Sequence, residues 1–189
     1  MEELVNRILK DGTVEDGAIL KVGTFINHSM DIRLFNAMGR EFKKRFQEDK
    51  ITKIVTIEAS GIGIAAIAAQ YFDYVPVVFA KKFLGSNMSS EVYESEVYSY
   101  TKATRYKVRI EKNLISSDDK ILIIDDFLAN GCAALGLIDI IRQSGASVVG
   151  FGAVIEKGFQ QGRRVIEEQG VKVESLAVIK GFEGDKVIF

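Results

Sequence analysis

The sequence predicts an α/β fold with a central, mainly parallel sheet flanked by helices. Two observations carry that expectation. From residue 31 onward, strand-like apolar runs alternate with runs at helical spacing, with no linker or low-complexity stretch between them. Strands separated by helices pair in parallel, with right-handed crossovers that cover both faces of a sheet. The second observation is the run Ile121-Leu122-Ile123-Ile124-Asp125-Asp126-Phe127-Leu128-Ala129-Asn130-Gly131. Four aliphatic residues lead into paired acids, then a short loop ends in glycine ahead of an amphipathic segment. It reads as a buried parallel strand that delivers two acids and a loop at a helix N-terminus.

The elements follow in order. Asp31 is placed to cap a helix whose Leu34, Phe35, Met38, Phe42 and Phe46 share one face. Its Lys43-Lys44-Arg45 run reads as a solvated polar face. Lys53 to Ile57 reads as a buried strand, followed by the turn Glu58-Ala59-Ser60-Gly61 and a small-residue helix from Ile64 to Gln70. Val75 to Ala80 reads as the next strand, with the only proline near its start, where no ladder donor is needed. Two β-prone stretches follow, Val92 to Tyr100 and Tyr106 to Glu111, joined by a turn over Thr101 to Arg105. Tyr93, Tyr98 and Tyr100 read as packing groups of this hairpin. After the Ile121 strand come a helix (Ala133 to Gln143), a strand (Ser147 to Ile155), a helix (Arg163 to Gln169) and a strand (Val171 to Val178).

Composition fits one catalytic domain. A chain of 189 residues is long enough for one well-buried core and short for two. Apolar residues make up 47% and charged residues 27%, so disorder is not indicated. A net charge of -1 argues against nucleic acid as the main partner. One cysteine excludes an internal disulfide, and no Cys/His cluster offers a structural zinc site. Met1-Glu2-Glu3-Leu4 lacks the basic-then-apolar pattern of a signal peptide, and no apolar run approaches membrane-spanning length. The expectation is a cytoplasmic enzyme without a membrane partner.

The chemistry centres on the strand end. Carboxylates at Asp125 and Asp126 suit sugar hydroxyls. The small residues of Ala129-Asn130-Gly131-Cys132-Ala133 allow a phosphate to approach the free amides of a helix start. A ribose 5-phosphate fits both halves. The alternative for the acids is one helix cap and one salt bridge; a Walker-type nucleotide site is disfavoured, because no GxxxxGK[ST] sequence occurs. His28, the only histidine, reads as a surface or hydrogen-bonded group, and Cys132 as a small packing residue whose burial opposes the helix terminus.

These residues resemble the signature of the type I phosphoribosyltransferases, which use phosphoribosyl pyrophosphate (PRPP). The form Asp-Asp-Phe-Leu-Ala-Asn-Gly resembles the bacterial enzymes of that family that act on xanthine. The likeness extends over nearly the whole chain, through Leu20 to His28, Ile51 to Glu58, Pro76 to Ala80 and Val154 to Lys157. It implies a single domain over 1–189. Within it, residues 1–30 contribute to a purine-binding hood, and 83–112 form a flexible flap hairpin whose Phe83 to Thr104 stretch closes over the reacting centre.

The resemblance also implies roles. Asp125 and Asp126 would hold the ribose 2- and 3-hydroxyls, and Ala129, Asn130, Gly131, Cys132 and Ala133 the 5-phosphate. Glu58, Ala59, Ser60 and Gly61 would bind pyrophosphate through their backbone, assisted by Lys81 or Lys82. Leu20, Asn27 and Lys157 would contact xanthine, although Leu20 alone reads as a core residue, Asn27 as a turn and Lys157 as a surface group. Mg²⁺ would arrive with PRPP and water, without a protein metal site. A homodimer is implied as well. Many 6-oxopurine members carry a further aspartate in the phosphate loop; Ala129 stands there instead, and xanthine entering as its anion would lessen the need for that base. The competing class is a PRPP-sensing regulator, expected to add a DNA-binding domain and a basic surface.

Overall fold

The computed structural model describes residues 1–83, 90–99 and 104–189. In chain order the elements are α1 (Glu2–Asp11), β1 (Thr13–Glu15), β2 (Ile19–Lys21), a π-helical turn (Gly23–Asn27), α2 (Ile32–Arg45), β3 (Lys53–Ile57), α3 (Ser60–Ala69) and β4 (Val77–Ala80). They continue with β5 (Val92–Ser99), β6 (Thr104–Glu111), β7 (Lys120–Leu128), α4 (Cys132–Gln143), β8 (Ser147–Lys157), α5 (Gly162–Glu167), β9 (Lys172–Ile179), β10 (Gly181–Glu183) and β11 (Lys186–Ile188). Five strands form one sheet in the order β4-β3-β7-β8-β9, and every neighbouring pair is parallel.

Strand alternation divides the aliphatic run of β7 between two cores. Leu122 and Ile124 join Ile54 and Val154 against α1, α2 and α3, through Leu4, Ile8, Phe35, Phe42 and Ile64. Ile121 and Ile123 join Val55 and Ala153 against α4, α5 and the β5–β6 hairpin, through Leu137, Ile141, Ile166, Val97 and Val108. Covered on both faces, the sheet has no solvated side, which is why its strands read as continuous apolar runs.

Asp31 caps α2 by accepting from the Leu34 amide at 3.1 Å, and Leu34, Phe35, Met38, Phe42 and Phe46 are all buried. Lys44 of the Lys43-Lys44-Arg45 run is exposed as expected, whereas Arg45 departs from that solvation. Arg45 pairs with Glu41 at 2.9 Å and donates to the Ser175 carbonyl at 2.8 Å, tying α2 to β9. The hairpin is tighter than expected, because Thr104 and Arg105 pair with Ser99 and Tyr98 instead of turning. Tyr100 at the end of the expected strand, Thr101 to Ala103 of the expected turn, and Leu84 to Ser89 of the expected flap lie outside the described residues. The N-terminal elements α1, β1 and β2, and the terminal β10–β11 ribbon, were not legible as separate elements.

The β3–β7 ladder ends at Val55 and Ile123, short of the two acids. Chain order reverses there: β3 leads outward to β4, while the chain returns to place β7 on its other side. That divergence opens a crevice beyond the strand carboxyl ends, where open α/β sheets bind ligands.

Candidate active site

Asp125 and Asp126 lie within β7, so alternation still holds and they leave opposite faces of the strand. Asp126 turns toward the hood, where the Asn27 side-chain amide donates to its carboxylate. Asp125 turns toward α4 and is buried. Both nevertheless line one cavity of about 160 Å³, together with Glu58, Ala59, Ser60, Lys82 and Tyr106. Asp125 also lines a neighbouring cavity of about 210 Å³, walled by Ala129, Asn130, Gly131, Cys132, Ala133, Val97 and Tyr98. The predicted phosphate loop and the predicted pyrophosphate turn thus face two adjoining cavities, with Asp125 lining both and Asp126 the one at the turn.

The loop is shaped by its glycine. Gly131 caps α4 in the left-handed region at φ 82°, a conformation that costs other residues free energy. Its carbonyl accepts the first helical bond, from Leu135 at 2.9 Å. The first-turn amides of α4 have no carbonyl within the helix and point toward the cavity end, where an anion would meet them and the positive end of the helix dipole.

The facing turn is held equally firmly. The Glu58 amide bonds the Ala80 carbonyl at 3.1 Å, and the Glu58 carboxylate accepts from the Lys82 amide at 2.5 Å. Lys82 also places its ammonium 5.7 Å from the centre of the Tyr106 ring. Of the two candidate lysines, Lys82 lines the cavity, whereas Lys81 gives its backbone to Arg109 of β6 in an antiparallel bridge. Gly61 lies beneath the turn and is buried. A Cβ there would sit 2.0 Å from Thr56 Oγ1 and 3.2 Å from Asp125 Oδ1, so only glycine lets α3 start this close to the acid.

Electrostatics reinforce the geometry. Burial, followed by the neighbouring charge of Asp126, pushes the Asp125 carboxyl well above the usual range. Tyr106 is raised by burial and then by Asp125. Burial raises the Cys132 thiol and leaves it a partly buried wall of the phosphate cavity, in keeping with a packing role. The oxygen-only donor pair fits Mg²⁺, since positive charge beside Asp125 and Asp126 would offset the burial and the neighbouring charge that raise the Asp125 pKa. Among the described residues no group of three or more His, Cys, Asp or Glu is placed to hold a metal.

The three expected purine contacts occupy the hood side. Leu20 is buried in β2 within the first core. Lys157, at the end of β8, reaches the Ala18 carbonyl at 3.3 Å and lies over the Phe182 ring; burial lowers its pKa. Asn27 donates its side-chain amide to Asp126, tying the N-terminal segment to the end of β7. His28 is exposed and lines a separate surface hollow with Asp11 and Lys21. Tyr106, Thr56 and Gly162 were missed by the sequence reading, because each matters only through contacts made across the fold.

Residues 32–182 match the phosphoribosyl transferase domain family. The chain belongs to the phosphoribosyltransferase family. Full-length relatives include xanthine phosphoribosyltransferase 2 of Clostridium botulinum (strain Hall), 59% identical over all of both chains. The xanthine phosphoribosyltransferase of Clostridium novyi is 61% identical over 100% of this chain and 99% of its own. Among solved structures, the phosphoribosyltransferase fold matches the APRTase of Giardia lamblia complexed with 9-deazaadenine. That match has a TM-score of 0.78 at 18% identity and covers 93% of this chain and 97% of the other. The adenine phosphoribosyltransferase of Rhodothermus marinus gives a TM-score of 0.75 at 22% identity, over 95% and 100% of the two chains. The described helices include none long and apolar enough to cross a membrane.

Proposed function

We propose that this chain transfers the 5-phosphoribosyl group of PRPP to N9 of xanthine, giving xanthosine 5′-monophosphate and pyrophosphate in purine salvage. The observation that carries the reading is the seat of Asp125 on both the α4 phosphate cradle and the Glu58–Ser60 cavity, with Asp126 beside it in the latter. One sugar with a phosphate at one end and a pyrophosphate at the other spans that arrangement. The relatives support the choice of xanthine through identity that runs the whole length of the chain.

In the reaction, N9 of the base attacks the anomeric carbon as its bond to pyrophosphate breaks, through a transition state with oxocarbenium character. Asp125 and Asp126 accept the ribose hydroxyls and favour positive charge on the sugar. Ala129 to Ala133 fix the 5-phosphate, so the ribose is oriented before attack. The turn amides at Glu58 to Gly61 and the Lys82 ammonium disperse negative charge on the leaving group. Mg²⁺, carried by PRPP oxygens and water beside the acid pair, supplies further charge neutralisation when bound. Leu20, Asn27 and Lys157 receive the base, and Lys157 offers a donor to an exocyclic oxygen that adenine lacks. With Ala129 in the loop, no side chain there takes the N7 proton; xanthine entering as its anion removes that requirement. The β5–β6 hairpin excludes water from the reacting centre. The working form is a homodimer in the cytoplasm.

Product formation tests the reading, with PRPP and Mg²⁺ present and xanthine, guanine, hypoxanthine or adenine supplied separately. Xanthosine monophosphate should form fastest. Preferred turnover of adenine would transfer the assignment to another base, and PRPP binding without turnover of any base would point to a sensor.

A further inference from the structure

An ion pair between a buried carboxylate and a partly exposed arginine, outside the two cavities, is joined to the phosphate loop by the backbone. Glu156 lies on β8 next to Lys157, is 3% exposed, and pairs in register with Leu128 at the end of β7. Its two carboxylate oxygens accept from Arg163 of α5, Nε at 2.9 Å and Nη2 at 2.7 Å, and the Ser175 hydroxyl donates to the same carboxylate. Arg163 Nη1 further donates to the Val173 carbonyl at 3.0 Å and to Glu167 at 3.1 Å. The guanidinium therefore fixes the start of α5 to β8 and β9 together, using the planar fork that lysine lacks.

The residue before it touches the loop. The Gly162 amide donates to the Ala129 carbonyl at 2.9 Å. The approach leaves no slack: a Cβ on Gly162 would sit 2.3 Å from that oxygen, and one on Gly131 would sit 2.7 Å from Val165 Cγ2 and 3.2 Å from Gly162 Cα. The first turn of α5 is the back wall of the phosphate loop.

We infer that Arg163, locked by Glu156, is a positioning residue for the 5-phosphate: it sets where Gly162 stands, and Gly162 sets the Ala129 carbonyl and hence the direction of the loop amides. The inference rests on the functional reading above only in taking this loop as the phosphate cradle. Amides aimed at a ligand lose affinity steeply when their support shifts, so a side chain that never meets PRPP controls how tightly it is held.

The test is calorimetric titration of ribose 5-phosphate into the wild-type chain, Arg163→Met and the double variant Glu156→Gln/Arg163→Met, with a melting temperature for each. Arg163→Met strands a buried carboxylate and risks misfolding, whereas the double variant removes both charges, a change that is often neutral for stability. The expected result is affinity about tenfold weaker in the folded variants, with KM for PRPP raised and kcat at saturating PRPP kept. A folded double variant that binds ribose 5-phosphate as the wild type does overturns the inference, even if it melts earlier, since a merely structural pair would lower stability alone. Wild-type protein that fails to bind ribose 5-phosphate overturns it too. If wild-type turnover with xanthine is absent while the affinity ratio holds, the functional reading fails and this inference stands.

Discussion

At the scale of single residues, Asp125 shows binding chemistry opposed to stability. The folded chain buries its carboxyl beside Asp126 and so holds its proton more tightly than the unfolded chain does. A carboxyl whose pKa is raised by folding contributes no penalty below the unfolded value and a growing one as pH climbs from there toward the folded value. Asp125→Asn keeps an oxygen for the Asp126 amide, which Asp125 accepts at 3.0 Å, yet it cannot ionise. The variant should therefore melt above the wild type at neutral pH, by about 5 °C for a gain of about 2 kcal/mol, and the gap should close as pH falls to about 4. A gap independent of pH would remove burial of charge as its cause. Asp126→Asn, in the same assay of PRPP turnover, should cost on the order of a hundredfold in rate while leaving the far-ultraviolet spectrum unchanged. The acids and the loop were legible in the sequence because their chemistry is carried by residue type at short spacing. Thr56 was not, and Gly61 was read only as part of the pyrophosphate turn, since the close contact that demands a glycine there exists only when α3 begins against Thr56 and Asp125. The bond from Asn27 to Asp126 joins positions far apart in the chain, a contact that no local pattern encodes.

At the scale of elements, helical period and strand alternation read well wherever an element is long enough to repeat. The α2 face and β3 stand at their expected places, and β8 extends past its expected end at Ile155 to Lys157, where the sequence turns polar although pairing continues on both sides. The three-residue strands β1, β2, β10 and β11 have too few alternations to signal themselves, and α1 shows only Leu4 and Ile8 on its buried side. Glycine in β8 also has an element-level cause. A Cβ on Gly152 would lie 2.7 Å from the Phe42 ring, and one on Gly150 would lie 2.4 Å from the Phe46 ring, so the strand gives up side chains where α2 seats its aromatics. Gly152→Ala should lower stability by about 1–3 kcal/mol, read as an earlier urea midpoint. Adding Phe42→Leu should return part of that loss, because the pair shares one space. Additive losses in the double variant would show that the strand's backbone freedom, and not the ring, sets the requirement.

At the scale of the whole molecule, the proposed substrate draws its contacts from elements that the fold holds through separate cores. The loop before α4 belongs to the second core, Asn27 to the hood, and the Glu58 turn to the junction of β3 and α3. The hairpin ties the second core to the end of β4: Val97 and Val108 are buried in the second core, Val97 stands where a Cβ on Gly136 of α4 would meet it at 2.5 Å, and Arg109 bridges to Lys81 at the end of β4. A ligand that binds only the folded arrangement stabilises all of these together by mass action. PRPP with Mg²⁺ at about a hundred times its dissociation constant should add about 2.7 kcal/mol and raise the melting temperature by about 5–10 °C. Ribose 5-phosphate, which reaches the cradle and the acids but not the Glu58 turn, should need a higher concentration for the same shift. Equal potency of the two ligands would mean that the turn contributes no affinity, and the pyrophosphate role of Glu58 to Gly61 and Lys82 would fall while the cradle assignment survived.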